Sequence, residues 1–330
     1  LNATGQFVAL GDQNYNSVTK QFTDLSVSSS ASWNYRGIVV PVSEHEIHTT
    51  RYSSTSMYTA PTIQRFNATT GALLGTASLS TTGCTSTVSS YWYDAAVDSN
   101  GDIWTVSYSY YYLTKWTLNA AKTQWQCSSY TSYGYPYYLT GVDFDDNTGN
   151  MYVSYYDSST YPTYNRYLME VNPSNPSSIN STWSIGNAAD YNYKTTSTAG
   201  NPNSGLVVDL PRVILNEYNV QGSRHHHFTM NGFTLEKMGV QEMPNGGHYG
   251  MTQIEDDGKI YYSCYHTSYC NTVQRKIHIW GDGGISVWQT PSATTATIYG
   301  NTITSTRSID QIKLASAIGY TPSSTSINID

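Results

Sequence analysis

Along most of the chain, apolar and polar residues alternate with a period of two, and the alternating runs are short and cut off by turn residues. Asp98-Ser-Asn-Gly101 is a polar turn followed by the alternating run Ile103-Trp-Thr-Val106, and Leu113-Thr-Lys-Trp116 reads as the next strand. The same order returns in Asp145-Asp-Asn-Thr-Gly149, followed by Met151-Tyr-Val-Ser154 and Tyr167-Leu-Met-Glu-Val171. It returns again in Glu255-Asp-Asp-Gly258, followed by Ile260-Tyr-Tyr-Ser263 and Lys276-Ile-His-Ile-Trp280. Each copy places Asp, Asn and Gly where a hairpin needs a positive φ or a side chain that closes the turn. Each then changes to the aromatic and β-branched residues that suit a strand. The spacing of Gly101, Gly149 and Gly258 fits repeating units of ~40–50 residues, a length typical of propeller blades.

Further units are predicted around this repeat. A first one holds Arg36–Val40, Glu46–His48, Ile63–Phe66 and the turn Asn67-Ala-Thr-Thr-Gly71. A fourth holds Gly205–Leu210 and Arg212–Leu215, placed by spacing because it lacks the Asp-Gly turn. A last begins at Ile285–Trp288. Gln6–Leu10 is a short strand candidate, and Ile309–Tyr320 is the one stretch with helical spacing. The turns Asp-x-x-Gly-x-Ile-Trp and Asp-x-x-x-Gly-x-Met-Tyr, over roughly residues 92–280, resemble blades of NHL-repeat and gluconolactonase-like β-propellers. The resemblance concerns the fold and is nearly silent on function. The expectation is an all-β chain forming one propeller domain over 1–330, with six blades fitting the length best; seven blades or a β-sandwich are the alternatives. Residues 1–32 and 289–330 are expected to close the ring, with Phe7–Leu10 beside the 285–299 region, or to contact a neighbouring subunit.

Composition narrows the function. Charged residues make up 12% of the chain, about half the ~25% usual for soluble domains. The net charge is −7, and the 16 Lys and Arg form no basic stripe, which argues against a nucleic-acid partner. No apolar run reaches the ~20 residues that cross a bilayer as a helix. There are 31 Tyr against 6 Phe. Tyrosine suits surfaces that are apolar in body and wet at the tip.

A first residue other than Met points to a removed leader. Asn2, Asn67 and Asn180 each begin a glycosylation sequon. The four cysteines favour two disulfides, Cys84 with Cys127 and Cys264 with Cys270, although four cysteines allow three pairings. Together these features predict a secreted chain.

Candidate chemistry is sparse. Asp143–Gly149 offers oxygens at alternating positions, as calcium loops do, but a capped hairpin turn is the favoured reading because the Gly and the closing acid of such a loop are misplaced. His225 and His227 would share one strand face, and His45 and His48 form a second histidine source; a transition-metal site needs the two to converge. Such a set would allow the metal-dependent lyase or lactonase chemistry that the propeller resemblance implies, yet no motif fixes it. No cofactor is expected, and no nucleophile elbow, phosphate loop or dinucleotide fingerprint is present. The tyrosine loops, among them Tyr133, Tyr135, Tyr137 and Tyr138, suit stacking on sugar rings or packing between blades. The leading expectation is a secreted, glycosylated structural or adhesive protein. Its partner is itself, because a terminal strand donated to the next copy builds a filament. A carbohydrate-binding propeller is the alternative.

Overall fold

The computed structural model describes residues 7–10, 13–16, 21–26, 39–43, 45–51, 62–89, 92–107, 111–161, 164–186, 205–219, 222–232, 234–242, 250–254, 260–264, 277–280, 294–298 and 301–305. Strands follow one another as antiparallel meanders, each strand paired with its sequence neighbour. The first contains β1 (Phe7–Leu10), β2 (Gln13–Asn16) and β3 (Gln21–Asp24). The second contains β4 (Val39–Ser43), β5 (Glu46–Arg51), β6 (Thr62–Asn67) and β7 (Leu73–Ser80). The third contains β8 (Trp92–Val97), β9 (Ile103–Ser107), β10 (Tyr112–Leu118) and β11 (Gln124–Ser132). The fourth contains β12 (Tyr137–Phe144), β13 (Met151–Asp157), β14 (Asn165–Val171) and β15 (Ile179–Gly186). The fifth contains β16 (Leu206–Asp209), β17 (Arg212–Asn219), β18 (Gly222–Asn231) and β19 (Thr234–Glu242). The sixth contains β20 (Gly250–Ile254), β21 (Ile260–Cys264) and β22 (His278–Trp280), and a hairpin of β23 (Thr294–Ile298) and β24 (Asn301–Ser305) follows.

Each meander is packed on the next. β13 is the clearest case: Met151 and Val153 join a core with Trp104, Val106 and Leu113 of the third meander. Tyr152, one step out of phase, joins Leu206, Val208 and Leu215 of the fifth. Period-two alternation thus divides a strand between two cores rather than between core and water, which is why β9 and much of β13 are buried throughout. Ile63 and Ala77 meet Trp116 and Trp125 across the second and third meanders, and Leu25 meets Ile47 and Phe66 across the first and second. The sixth meander returns to the first, where the Ile277 amide donates to Gln13 Oε1 at 3.0 Å and Tyr15 and Tyr261 lie 5.8 Å apart. Sheets stacked face to face in sequence order, with the last touching the first, define a β-propeller.

The first strand of each meander lies innermost, and its free edge carries backbone amides that need acceptors. Aspartates supply them. Asp94 Oδ2 on β8 accepts from Val142 N on β12 at 3.1 Å and from Leu206 N on β16 at 3.0 Å. Asp143 Oδ2 accepts from Val208 N at 2.7 Å, and Asp145 Oδ1 from Leu210 N at 3.2 Å. Alternate amides from Leu206 to Leu210 are therefore held by three aspartate side chains from preceding blades. Gly141 permits this approach, since a Cβ there would lie 2.7 Å from both Leu206 Cβ and Ser154 Oγ.

One expectation changes. Residues 1–32 contain a three-stranded meander rather than one short strand. Phe7–Leu10 pairs with Gln13–Asn16, and most of the 285–299 region expected beside it lies outside the described residues. The outermost strands of the second and third meanders also join, β7 pairing in parallel with β11 from Ser78–Ser80 to Gln124–Gln126. The Cys84–Cys127 disulfide fastens the same region. The helix expected over 309–320, the termini 1–6 and 306–330, Asn2 and Cys270 lie outside the described residues.

Candidate functional site

The repeated turn is built by its aspartate. Asp98 Oδ1 accepts from Asn100 N and Asp102 N, Oδ2 accepts from the Trp104 indole at 3.0 Å, and Gly101 takes φ +81° to close the loop. Burial pushes the Asp98 carboxyl up, but these hydrogen bonds and the nearby Lys115 ammonium bring it below the usual range. Asp145 plays the same part, accepting from Thr148 N at 3.0 Å and the Thr148 hydroxyl at 2.5 Å while Gly149 closes on its carbonyl. The Asp143–Gly149 segment is thus a capped hairpin whose carboxylates are engaged by backbone and hydroxyl donors.

The histidines are distributed rather than gathered. His45 is exposed beside the β4–β5 turn. His48 is buried, with Nε2 bonded to Glu46 Oε1 at 2.9 Å and Nδ1 accepting from the Trp125 indole at 2.9 Å. Burial holds its imidazole below the ordinary value against the opposing pull of Glu46. Both ring nitrogens are committed, so no lone pair points at a metal. His225 and His227 do share a face of β18, their rings 6.1 Å apart, and burial holds buried His225 well below the usual imidazole range. These two belong to the fifth meander, however, and His45 and His48 to the second. Among the described residues no three His, Cys, Asp or Glu side chains converge as a metal site.

Tyrosine is what the structure does gather. β12 starts, β13 ends and β14 starts at one end of the fourth meander, as the pairing Tyr137–Asp157–Asn165 shows. Tyr138 stacks on Tyr156 at 4.9 Å with planes 3° apart, and Tyr111 from the third meander meets Tyr138 at 5.0 Å. Tyr156 contacts Tyr164 at 5.6 Å, and Tyr164 contacts Tyr161 at 5.4 Å. On the other face Tyr137, Tyr155 and Tyr167 form a shorter series at 5.3 and 5.2 Å. Tyr111 and Tyr164 take φ of +59° and +45°, a left-handed backbone that is costly for a bulky residue and is found where surrounding structure imposes it.

The loops are braced. Asp157 Oδ1 accepts from both the amide and the hydroxyl of Ser159, and Ser158 donates from amide and hydroxyl to Pro136 O. Tyr135 and Tyr161 project from this frame at 68% and 73% exposure, and Tyr137 is exposed as well. Tyr133 is used differently, half-buried with its hydroxyl donating to Pro176 O at 2.6 Å, and burial pushes its phenol up. The hydrogen bond with Tyr111, aided by burial, pushes Tyr138 up to about 12. Of the four tyrosines singled out in the sequence, Tyr135 and Tyr137 face outward, Tyr138 is in the ring series and Tyr133 is a strut. Tyr111, Tyr156, Tyr161 and Tyr164 fall in the other tyrosine-rich stretches of the sequence, 108–112, 152–156 and 161–167, whose spacing gave no sign of which rings would meet. Two sequon asparagines lie among the described residues: Asn180 is exposed on β15, and Asn67, at the end of β6, caps its own turn with Oδ1 accepting from Thr69 N and Thr70 N.

The class is therefore a β-propeller with a tyrosine-lined end. No protein-family profile matches the chain, and no curated protein is significantly similar in sequence. Solved structures similar to it include a luciferin-regenerating enzyme (12% identity, 86% of this chain and 92% of that one, TM-score 0.47) and the Pseudomonas aeruginosa periplasmic gluconolactonase (10%, 78% and 74%, 0.43). A putative 6-phosphogluconolactonase from Bacteroides uniformis is a third (14%, 81% and 89%, 0.44).

Proposed function

We propose that this chain is a secreted adhesive propeller that binds carbohydrate through the end of its fourth meander. The observation that supports this reading is the outward display of Tyr135, Tyr137 and Tyr161 on loops stiffened by hydrogen bonds. Sugar rings present apolar C–H faces that stack on aromatic rings, and phenol hydroxyls bond the sugar hydroxyls beside them. A braced loop loses little conformational freedom on binding. An extracellular setting agrees with the Cys84–Cys127 disulfide, and among the described residues no helix is long and apolar enough to cross a membrane. Glycan-array screening followed by calorimetry tests the reading. Replacing Tyr135 and Tyr137 together by Ala is expected to weaken binding of any retained glycan at least tenfold, with the fold retained by circular dichroism and thermal unfolding lowered only by the loss of the Tyr137–Tyr155 contact. Binding that survives the double replacement, or a blank array, rejects it. Self-assembly into a filament would draw on the terminal segments outside the described residues, and electron microscopy over a dilution series checks it separately.

A further inference from the structure

We propose that the series Tyr111–Tyr138–Tyr156–Tyr164–Tyr161 is an oxidation relay that makes Tyr161 the site where two copies of the chain become joined by a dityrosine bond. Four successive ring contacts of 5.0, 4.9, 5.6 and 5.4 Å connect its members. Electron exchange between aromatic rings falls steeply with separation, so a vacancy created at one ring of such a series migrates along it. The middle ring of the series, Tyr156, is 7% exposed, Tyr111 at one end is half-buried, and Tyr161 at the other end is 73% exposed. Two of its members, Tyr111 and Tyr164, sit in left-handed backbone that brings their rings into line, a cost the fold bears at few other non-glycine residues among those described.

The exit is fixed by proton release. A tyrosine that loses an electron must also lose its phenolic proton to persist as a neutral phenoxyl radical. The Tyr138 oxygen accepts from the Tyr111 hydroxyl at 3.3 Å, and Tyr138 is far less exposed than Tyr161, so its own proton has less water to leave to. Tyr161 stands in water, which accepts the proton. Tyr135 is nearly as exposed and lies near Tyr138, but among the described residues it has no ring contact with any member of the series, so exposure and ring contact can be tested apart.

The coupling needs an oxidant, and hydrogen peroxide acting through a haem peroxidase supplies it. Each Tyr161 gives up one electron and one proton. Two phenoxyl radicals from two molecules then form a bond between their ortho carbons, and the two ring hydrogens at those carbons move to the phenol oxygens. One hydrogen peroxide is reduced to two waters for each bond formed. The inference stands on the ring series and does not depend on a glycan ligand.

The test treats the intact chain with a haem peroxidase and hydrogen peroxide. It reads covalent dimer on a denaturing gel, dityrosine fluorescence, and the linked peptides by mass spectrometry. The wild-type chain is expected to dimerise with the linkage at Tyr161. Tyr161→Phe is expected to lose most of the dimer, and Tyr135→Phe to keep it. Tyr164→Phe leaves Tyr161 exposed but interrupts the relay, and is expected to lower the Tyr161 linkage several-fold. Circular dichroism verifies that each Phe variant is folded. Equal linkage at Tyr135 and Tyr161, an unchanged yield in Tyr164→Phe, or no dimer at all overturns the proposal.

Discussion

At the scale of single residues, the polar groups that matter are buried ones with assigned partners. Among the described residues, each of the four buried tryptophans has an acceptor for its indole N–H: Trp92 on Val88 O, Trp104 on Asp98, Trp116 on Thr105 and Trp125 on His48. This is what burial of a large ring with one polar atom requires. Asp143 is the residue whose state sets a pH dependence. Burial pushes its carboxyl well above the ordinary range, against the Val208 and Phe144 amides that pull it down, and the neighbouring Asp94 and Asp146 push it further up. The folded chain therefore holds this proton more tightly than the unfolded chain. The stabilisation is complete below the unfolded carboxyl value and is lost as pH rises toward the folded one. Asp143→Asn keeps an acceptor for Val208 N–H and removes the titration. Thermal unfolding measured from about pH 4 to about pH 8 is expected to show the wild type losing stability with rising pH relative to the variant. Parallel curves would contradict this.

At the scale of elements, the repeat is a turn that anchors a strand. Asp98 serves two amides of its turn, the Trp104 indole on β9 and, at 3.3 Å, the Lys115 ammonium from β10. Asp98→Ala leaves a largely buried indole donor and two turn amides without their acceptor. It is expected to cost about 1–3 kcal/mol in chemical denaturation, the usual penalty for orphaned groups. Most of it should persist in high salt, because the Lys115 pair lies near the surface and contributes little. This turn was legible from Asp98, Asn100 and Gly101 alone, and so were most of the strands, since hairpin chemistry is local. The tyrosine loop holding Tyr133, Tyr135, Tyr137 and Tyr138 was legible only in part: Tyr137 and Tyr138 begin β12 and pair with β13.

At the scale of the molecule, the propeller's rim is fastened unevenly. Parallel pairing of β7 with β11 and the Cys84–Cys127 disulfide lock the second meander to the third. The disulfide spans 43 residues, and restricting a loop of that size in the unfolded chain is typically worth about 2–4 kcal/mol. Cys84→Ser with Cys127→Ser is expected to lower the denaturation midpoint accordingly, and hydrogen exchange should rise first in β7 and β11. Uniform loss of protection across all meanders would show that the ring opens as one unit instead.

What the sequence determined by itself was the class of element and its repetition. Asp, Asn and Gly at the turns and alternation between them are encoded within a few residues, so Asp98–Trp116 and its two echoes announced stacked β-meanders. The tertiary structure decided how those meanders meet. It set Asp94, Asp143 and Asp145 on the amides of another blade, committed His48 to Trp125 across 77 positions, and sorted a uniform tyrosine excess into strut, series and display. Those outcomes depend on which rings and carboxylates arrive within a few ångströms of one another, and contacts between residues far apart in the chain leave no local pattern to read.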